Sequence, residues 1–486
     1  MDGKIDVLAS GTFFLTVMQV LGYAGYFAFY VLAARLLTTS EVGSFSLLLM
    51  VLTVFSTGSL LALNNAVVKF FSEGLGREDE EWAASAANGA LRLIAFSSTT
   101  SLILGLAFSP LISSFAGVGL LEVSCILVSA FIYNFTSYLG AVMYGYRMFR
   151  EVCLQNVIYV FSCRSIGLML AFLGLRVLGV SFGFLAGSTL TLICSIAFLR
   201  GRDNRSNKVF PYSRLLKFSL PVYGYNIVSL LQSWLDVGLL SSVAGLDVAG
   251  TYYIAVSSVT FLSVLWQPLS QALLPTLSWM NGSGYADEIT KIARSVLRIM
   301  SAIILPLSFG LASVPRTALS IVYGTEYARA SLAFSLLAFS AFLNAYTSFY
   351  GAVLQALGRT KPILAAGAAS TLIYVFMLAT LSPVLGQVGA ALARMLMTTV
   401  GFLILQGSVS IGLPENLKKC VLTALVVSAV LLPTELLWEV TLPLKVSVEL
   451  LEFAAVSLLA HKTFKPMSSV EIASLKSLVP WKPRGR

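Results

Sequence analysis

Charge is scarce in this chain. Only 11% of its 486 residues are Asp, Glu, Lys or Arg, whereas an average soluble domain carries roughly 25%. Histidine is scarcer still. His461 is the only one, which excludes histidine-based metal sites and Ser-His-Asp triads. The five cysteines (Cys125, Cys153, Cys163, Cys194 and Cys420) lack CxxC spacing and sit in or beside apolar runs, where a thiol behaves as a small hydrophobe. There is no DxD pair, no GxxxxGK[ST] phosphate loop, and no long outward connection to house a catalytic centre. These absences argue against an enzyme and call for no cofactor and no metal.

Hydrocarbon is what the chain has in quantity. Hydrophobic residues make up 57% and the mean hydropathy is +0.86. They are gathered into runs of about 20 residues or more, enough to cross a hydrocarbon core of roughly 30 Å. In lipid each backbone N–H and C=O must be satisfied within its own segment, so the runs should be helices. The chain therefore reads as an all-α integral membrane protein with about fourteen spans. We place them at 10–34, 42–68, 83–109, 120–146, 152–175, 178–199, 216–244, 250–279, 290–313, 330–357, 362–382, 385–407, 418–436 and 440–460. The first is too long and too near the start for a cleaved signal peptide and is read as a retained span. Only Arg200–Lys217 and the tail from His461 look solvated.

The net charge of +10 is topological. With the N-terminus inside, the inward segments hold 24 of the 32 Lys and Arg, while the outward ends hold four: Arg35, Arg176, Arg316 and Arg329. Arg92, Arg164, Arg394 and Lys445 fall within spans. Such a bias is the positive-inside pattern and places both termini in the cytoplasm. We expect a cell (plasma) membrane location and no nucleic-acid partner. The sequons at Asn134, Asn204 and Asn281 lie in a span, the basic inner loop and a cytoplasmic turn, so none should be glycosylated.

The chain also repeats itself. Phe131-Ile-Tyr-Asn-Phe-Thr-Ser-Tyr-Leu-Gly-Ala-Val-Met143 matches Phe342-Leu-Asn-Ala-Tyr-Thr-Ser-Phe-Tyr-Gly-Ala-Val-Leu354. Glu41-Val-Gly43-Ser-Phe45 resembles Val248-Ala-Gly250-Thr-Tyr252, and Leu178-Gly179 pairs with Leu385-Gly386, both 207 positions apart. Spans two, four and six thereby pair with eight, ten and twelve. Six helices per repeat keep both copies in one orientation, the arrangement on which alternating access rests. The expected organisation is a six-helix N-terminal lobe at 1–199 and a basic cytoplasmic linker at 200–215. A six-helix C-terminal lobe at 216–407, two extra helices at 408–460 and a basic tail at 461–486 follow.

Further residues carry a family resemblance. Span one ends Ala34-Arg35-Leu36-Leu37, and Val68-Lys69-Phe70-Phe71-Ser72-Glu73 closes span two. Ser219-Leu220-Pro221 opens span seven, and Leu274-Pro275-Thr276-Leu277-Ser278 ends span eight. Tyr323-Gly324-Thr325-Glu326-Tyr327, Leu357-Gly358-Arg359-Thr360-Lys361 and Leu385-Gly386-Gln387-Val388-Gly389 follow in order. Together they resemble the polysaccharide-transporter branch of the multidrug/oligosaccharidyl-lipid/polysaccharide exporter superfamily, over nearly the whole chain. That resemblance implies two six-helix lobes and a flippase that moves a lipid-linked oligosaccharide from the cytoplasmic to the outer leaflet.

Charges inside spans are costly and are candidates for function. Arg164, Arg394 and Arg92 are candidates for an anionic headgroup, because guanidinium forks match phosphate oxygens. Their alternative is a helix-locking contact. Asp236 could carry a coupling proton or sodium ion, or form an internal pair. Arg35 and Lys69 are candidates for a gate or anchors, and Pro221 with Gly224 for a hinge, since proline bends a helix. Pro268, Pro275 and Pro306 also fall within spans. Gln19, Asn64, Asn65, Asn226, Gln267, Gln271 and Asn344 are polar enough to line a sugar path or to join helices. Lys445, Glu449 and Glu452 share one helical face, where Lys445 and Glu449 can neutralise each other. The protein is expected to act as a monomer, near a polysaccharide polymerase or glycosyltransferases. The rival reading is a drug or organic-cation exporter of the same superfamily, coupled to protons or sodium. The arginine-rich core favours the anionic lipid substrate. A major-facilitator transporter is disfavoured because Lys69–Trp82 reads KFFSEGLGREDEEW, largely acidic.

Overall fold

Apolar runs without strand alternation predict helices alone, and a computed structural model of the chain has no strand among its described residues. Those residues are 2–202, 210–267, 286–357, 359, 361–437 and 442–464, with single positions at 270, 273 and 277. Most of the basic linker, the tail beyond residue 464, Pro268, Gln271, Pro275, Asn204, Asn281 and the side chain of Gln19 lie outside them.

Helix α1 (Asp2–Leu36) is followed by α2 (Thr39–Leu60), α3 (Leu63–Gly76), α4 (Glu80–Ala107), the short α5 (Ser109–Ala116) and α6 (Leu120–Gly145). Next come α7 (Phe149–Leu170), α8 (Arg176–Phe198), α9 (Tyr212–Val243) and α10 (Leu246–Phe261). After Ala286 the chain forms α11 (Ala286–Ser313), α12 (Pro315–Val322), α13 (Ser331–Ala356), α14 (Lys361–Leu385) and α15 (Gln387–Gly407). It ends with α16 (Leu417–Leu437) and α17 (Leu442–Phe464).

Nine stretches among the described residues are long and apolar enough to cross a membrane. One of them, Phe149–Phe198, contains both predicted spans five and six. The expected total of fourteen is thus not reached by this measure. Helix α9 falls outside it, and it carries Asn226, Gln232 and Asp236.

Span two differs from expectation. Residues 42–68 are not one helix, because Leu61 and Ala62 both adopt left-handed backbone with φ of 49° and 53°. That conformation costs a non-glycine residue about 1–2 kcal/mol, and no glycine or proline marks the place. Apolar periodicity runs straight through the break, which is why composition misses it. Its effect is to start α3 at Leu63, with Asn64 and Asn65 in the first turn.

The helices fall into two compact units, residues 1–254 and 255–486. In the first, α7 packs on α8 and α1, α6 on α8 and α2, α3 on α4 and α6, and α9 on α2. Buried Phe70, Phe71, Ala83, Ala87 and Met143 form the heart of one apolar cluster. A polar staple joins three helices of this unit. The Asn134 amide of α6 donates to Ser59 Oγ of α2 (2.7 Å) and Ser98 Oγ of α4 (2.9 Å). In hydrocarbon such interhelical bonds hold bundles together.

In the second unit α14 packs on α15, α13 on α11 and α15, and α16 on α11 and α17. Its polar staple was only half expected. Lys445 on α17 ion-pairs with Glu435 on α16, with Nζ 3.1 Å from Oε2. Glu449, on the same helix as Lys445, stays within reach of its charge and accepts from Thr317 Oγ1 at 3.2 Å. Glu435 in turn accepts the Arg316 and Thr317 N–H groups at the start of α12 (2.8 and 3.2 Å). A carboxylate at a helix N-terminus satisfies donors that the helix itself leaves open.

The ends of α2 and α10 meet backbone to backbone. A Cβ on Gly43 would fall on the Leu246 carbonyl oxygen, and one on Gly250 would fall on the Thr39 carbonyl oxygen. Gly43 and Gly250 are 207 positions apart, as are Thr39 and Leu246. The two contacts are therefore images of each other under the sequence offset, as a local two-fold crossing requires. Thr39 Oγ1 adds a hydrogen bond to Asp247 Oδ1 at 2.8 Å. Gly58, on the same helix, has nothing within 4 Å of a built Cβ. Gly43→Ala should lower stability by about 1–3 kcal/mol through overpacking, whereas Gly58→Ala should be neutral or stabilising. Thermal unfolding of the two variants in detergent checks this, and equal midpoints would contradict the crossing.

Candidate functional site

A polar hollow is cut into the first unit. One part, about 250 Å³, lies among α1, α3, α6 and α7 and is lined by Asn64, Asn65, Ser137, Gln155, Asn156 and Tyr159, among others. A second part of about 350 Å³ shares Asn64, Tyr133, Ser137 and Tyr159, and extends to Tyr26, Thr53 and Asn226. A third of about 220 Å³ shares Thr53, Thr57 and Asn226, and ends at Trp234. The shared residues make the three neighbours. None of the described residues that line them is charged.

Local folding explains the lining. The break at Leu61–Ala62 turns the chain so that the first turn of α3 meets the hollow, and Asn64 Nδ2 donates to Ser137 Oγ of α6 at 3.2 Å. Gln155 of α7 is tied down by donating to the Thr136 carbonyl and Ser195 Oγ, each at 2.8 Å. Gly140 leaves room for it, since a Cβ there would press on Gln155 Oε1 at 2.6 Å. The Tyr133 and Tyr159 rings lean on each other with centroids 5.0 Å apart.

Arg164 stands one side chain back from this hollow. It is 6% exposed, and its guanidinium lies over the Tyr26 ring, 3.8 Å from the centroid. Phe29 and Phe184 flank it at 5.7 and 5.8 Å. Nη1 donates to the Val160 carbonyl at 3.0 Å, while Nε has no hydrogen-bond partner. No carboxylate pairs with it among the described residues. An aromatic row continues from Tyr26 to Tyr30 (6.5 Å), then Tyr253 (5.5 Å, with the hydroxyls 2.7 Å apart), then Trp234 (5.7 Å).

The remaining candidates are dispersed. Arg92 is exposed on α4 and is not among the lining residues. Arg394 is half-buried on α15 in the second unit. Asp236 is fully buried and accepts the Tyr252 hydroxyl at 2.7 Å. Arg35 is exposed at the end of α1. Neighbouring Glu41 closes a capping box with Thr38 and pairs with Arg176 at 2.8 Å. Lys69 is exposed over the Phe218 ring at 4.4 Å. Helix α9 runs unbroken through Pro221, with open space around Gly224. Asn64, Asn65 and Asn226 line the hollow, whereas Asn344 is exposed on α13.

Sequence reading passed over Tyr26, Tyr133, Tyr159, Gln155 and Asn156. Their signal was the stretch Asn134-Phe-Thr-Ser137, polar residues within an apolar run, faced by Gln155 and Asn156.

A bundle of apolar helices around an uncharged polar hollow is the architecture of a membrane transporter. The chain belongs to the polysaccharide biosynthesis protein family, whose model matches residues 31–332. Among curated proteins it is 25% identical over 444 residues to "Probable low-salt glycan biosynthesis flippase Agl15" of Haloferax volcanii, covering 87% of this chain and 89% of that protein. Its fold is similar to that of the lipid II flippase MurJ in an inward closed conformation. The TM-score is 0.74 at 16% identity, over 92% of this chain and 98% of the other. An inward-facing multidrug-resistance MATE transporter follows, with TM-score 0.66 at 15% identity over 80% of this chain and 94% of the other.

A buried cation without a counter-ion is costly, and a stacked ring returns only about 2 kcal/mol. Arg164→Met should therefore melt no lower than wild type in detergent. A drop of several degrees would show that Arg164 is there to hold the helices together.

Proposed function

We propose that this chain is a flippase for lipid-linked oligosaccharides, carrying the sugar portion through the polar hollow of the first unit while the lipid stays in hydrocarbon. The observation that carries this reading is the lining itself: amides, hydroxyls and aromatic rings on membrane-embedded helices, without one charge among the described residues. Sugars present hydroxyls that need such donors and acceptors. The family match and the likeness to a glycan flippase support it. An exporter of organic cations would want an acidic cavity, and none of the described lining residues is acidic.

Within this reading Arg164 holds the phosphate of the carrier lipid once Tyr26 swings aside, supported by its unpartnered Nε. Arg394 is its counterpart in the second unit, and Arg92 a weaker third. The bond from Tyr252 supports an internal-pair role for Asp236, so the driving gradient, proton or sodium, would be met elsewhere. The two lobes (1–199 and 216–407) rock about the hollow with α9 bending near Pro221 and Gly224. The chain resides in the cell membrane with both termini cytoplasmic and acts as a monomer near the enzymes that build or polymerise its glycan. Arg35 and Lys69 anchor the ends of α1 and α3.

Reconstitution into liposomes with a fluorescent polyprenyl-pyrophosphate oligosaccharide tests the reading. Wild type should move the glycan between leaflets, and Arg164→Met should slow it by about tenfold or more, the value of one lost charge-assisted bond of roughly 1.5–3 kcal/mol. No transfer by wild type across several lipid-linked sugars would favour the drug-exporter alternative.

A further inference from the structure

We infer that the hollow is a glycan subsite selective for uncharged sugar units, with Tyr133 and Tyr159 as its stacking face. This rests on the flippase reading and narrows its substrate class. Five polar groups facing the hollow have no hydrogen-bond partner among the described residues: the Tyr133 and Tyr159 hydroxyls, and the amides of Asn65, Asn156 and Asn226. Neighbouring polar groups are engaged, for example Asn64 with Ser137 and Gln155 with Ser195. The unengaged groups sit on four different helices, α3, α6, α7 and α9, so the bundle fixes their spacing.

Each amide offers two donors and an acceptor, and each phenol one of each, the complement that ring hydroxyls of a hexose demand. The two tyrosine rings, tilted 44° to each other, present π faces whose negative quadrupole attracts the slightly positive C–H face of a pyranose. Trp234, stacked with Tyr253, offers a further ring at the far end. A carboxylate-bearing sugar seated here would give up part of its hydration to neutral groups without meeting a cation among the described lining residues, which is unfavourable. Arg164 does not answer that need, because in the flippase reading the carrier-lipid phosphate takes it up once Tyr26 moves off its guanidinium. The second part alone, about 350 Å³, exceeds the roughly 300 Å³ at which ligand pockets begin, which is room for a sugar ring.

The test uses the full chain in proteoliposomes and two fluorescent polyprenyl-pyrophosphate glycans. One is a neutral hexose oligosaccharide. The other is the same chain with one hexose replaced by a hexuronic acid. Wild type should move the neutral glycan about tenfold faster or more. Tyr159→Ala should slow the neutral glycan about three- to tenfold, while Tyr159→Phe, which keeps the ring, should retain most of the rate. Asn156→Lys should narrow the preference by speeding the acidic glycan, a change that a structural defect alone would not produce. Equal wild-type rates for the two glycans, or a preference that Asn156→Lys leaves untouched, would overturn the subsite while the flippase reading stands. Movement of neither glycan, nor of other lipid-linked sugars, would instead remove the flippase reading itself.

Discussion

Hydrocarbon offers no hydrogen bonds, and that constraint organises this molecule. Every polar group carried into the bilayer must find a partner in the protein or face a space that water or a ligand fills. Most comply. Asn134 spends its amide on Ser59 and Ser98, Gln155 on Thr136 and Ser195, and Glu435 on Lys445 and the start of α12. Serines and threonines return their hydroxyls to the preceding turn of their own helix, as Ser188 and Thr191 do on α8. Some buried atoms, such as Asn134 Oδ1 and Ser219 Oγ, stay without a partner. The groups around Asn156, Asn226 and the tyrosine pair differ in facing an open hollow, and they mark where the solvent of this protein changes from lipid to something polar.

The same constraint separates two tasks that a sequence presents together. An intramembrane arginine and an intramembrane asparagine both read as candidates for substrate contact. In the folded chain they occupy different layers. The asparagines stand at the surface of the hollow, and Arg164 is held behind it in a box of Tyr26, Phe29 and Phe184. A guanidinium stacked on an aromatic ring keeps its charge without a carboxylate. In the proposed reading the sugar-facing groups and the phosphate-binding guanidinium stand one side chain apart. The described residues that line the hollow are neutral.

Helix content and the all-α class were legible because twenty-residue apolar runs admit few other solutions. The break at Leu61–Ala62 was not, because its left-handed residues are leucine and alanine, and nothing local distinguishes them from helix. Lys445 was expected beside Glu449 by helical spacing, but a long side chain reaches a neighbouring helix as easily as its own. The duplication proved informative beyond topology. Gly43 and Gly250 were noted only as matched positions, and in the structure each is the place where the other's helix approaches. Of the site, Asn64, Asn65 and Asn226 could be named from polarity alone. Tyr133 and Tyr159 could not, since aromatic residues in a membrane helix usually pack against lipid or core, and only their convergence on one hollow assigns them otherwise.

Water access to the hollow tests this account most directly. In a chain whose native cysteines are replaced by serine, single cysteines at Asn156, Asn226 and Ser137 would be exposed to a membrane-impermeant thiol reagent, with Leu372, 72% exposed on an apolar helix face, as the reference. The account predicts that the three react, that Leu372→Cys does not, and that a neutral lipid-linked glycan slows all three. Silence at all three, matching the lipid-facing reference, would mean that the hollow is closed to polar molecules and would contradict it.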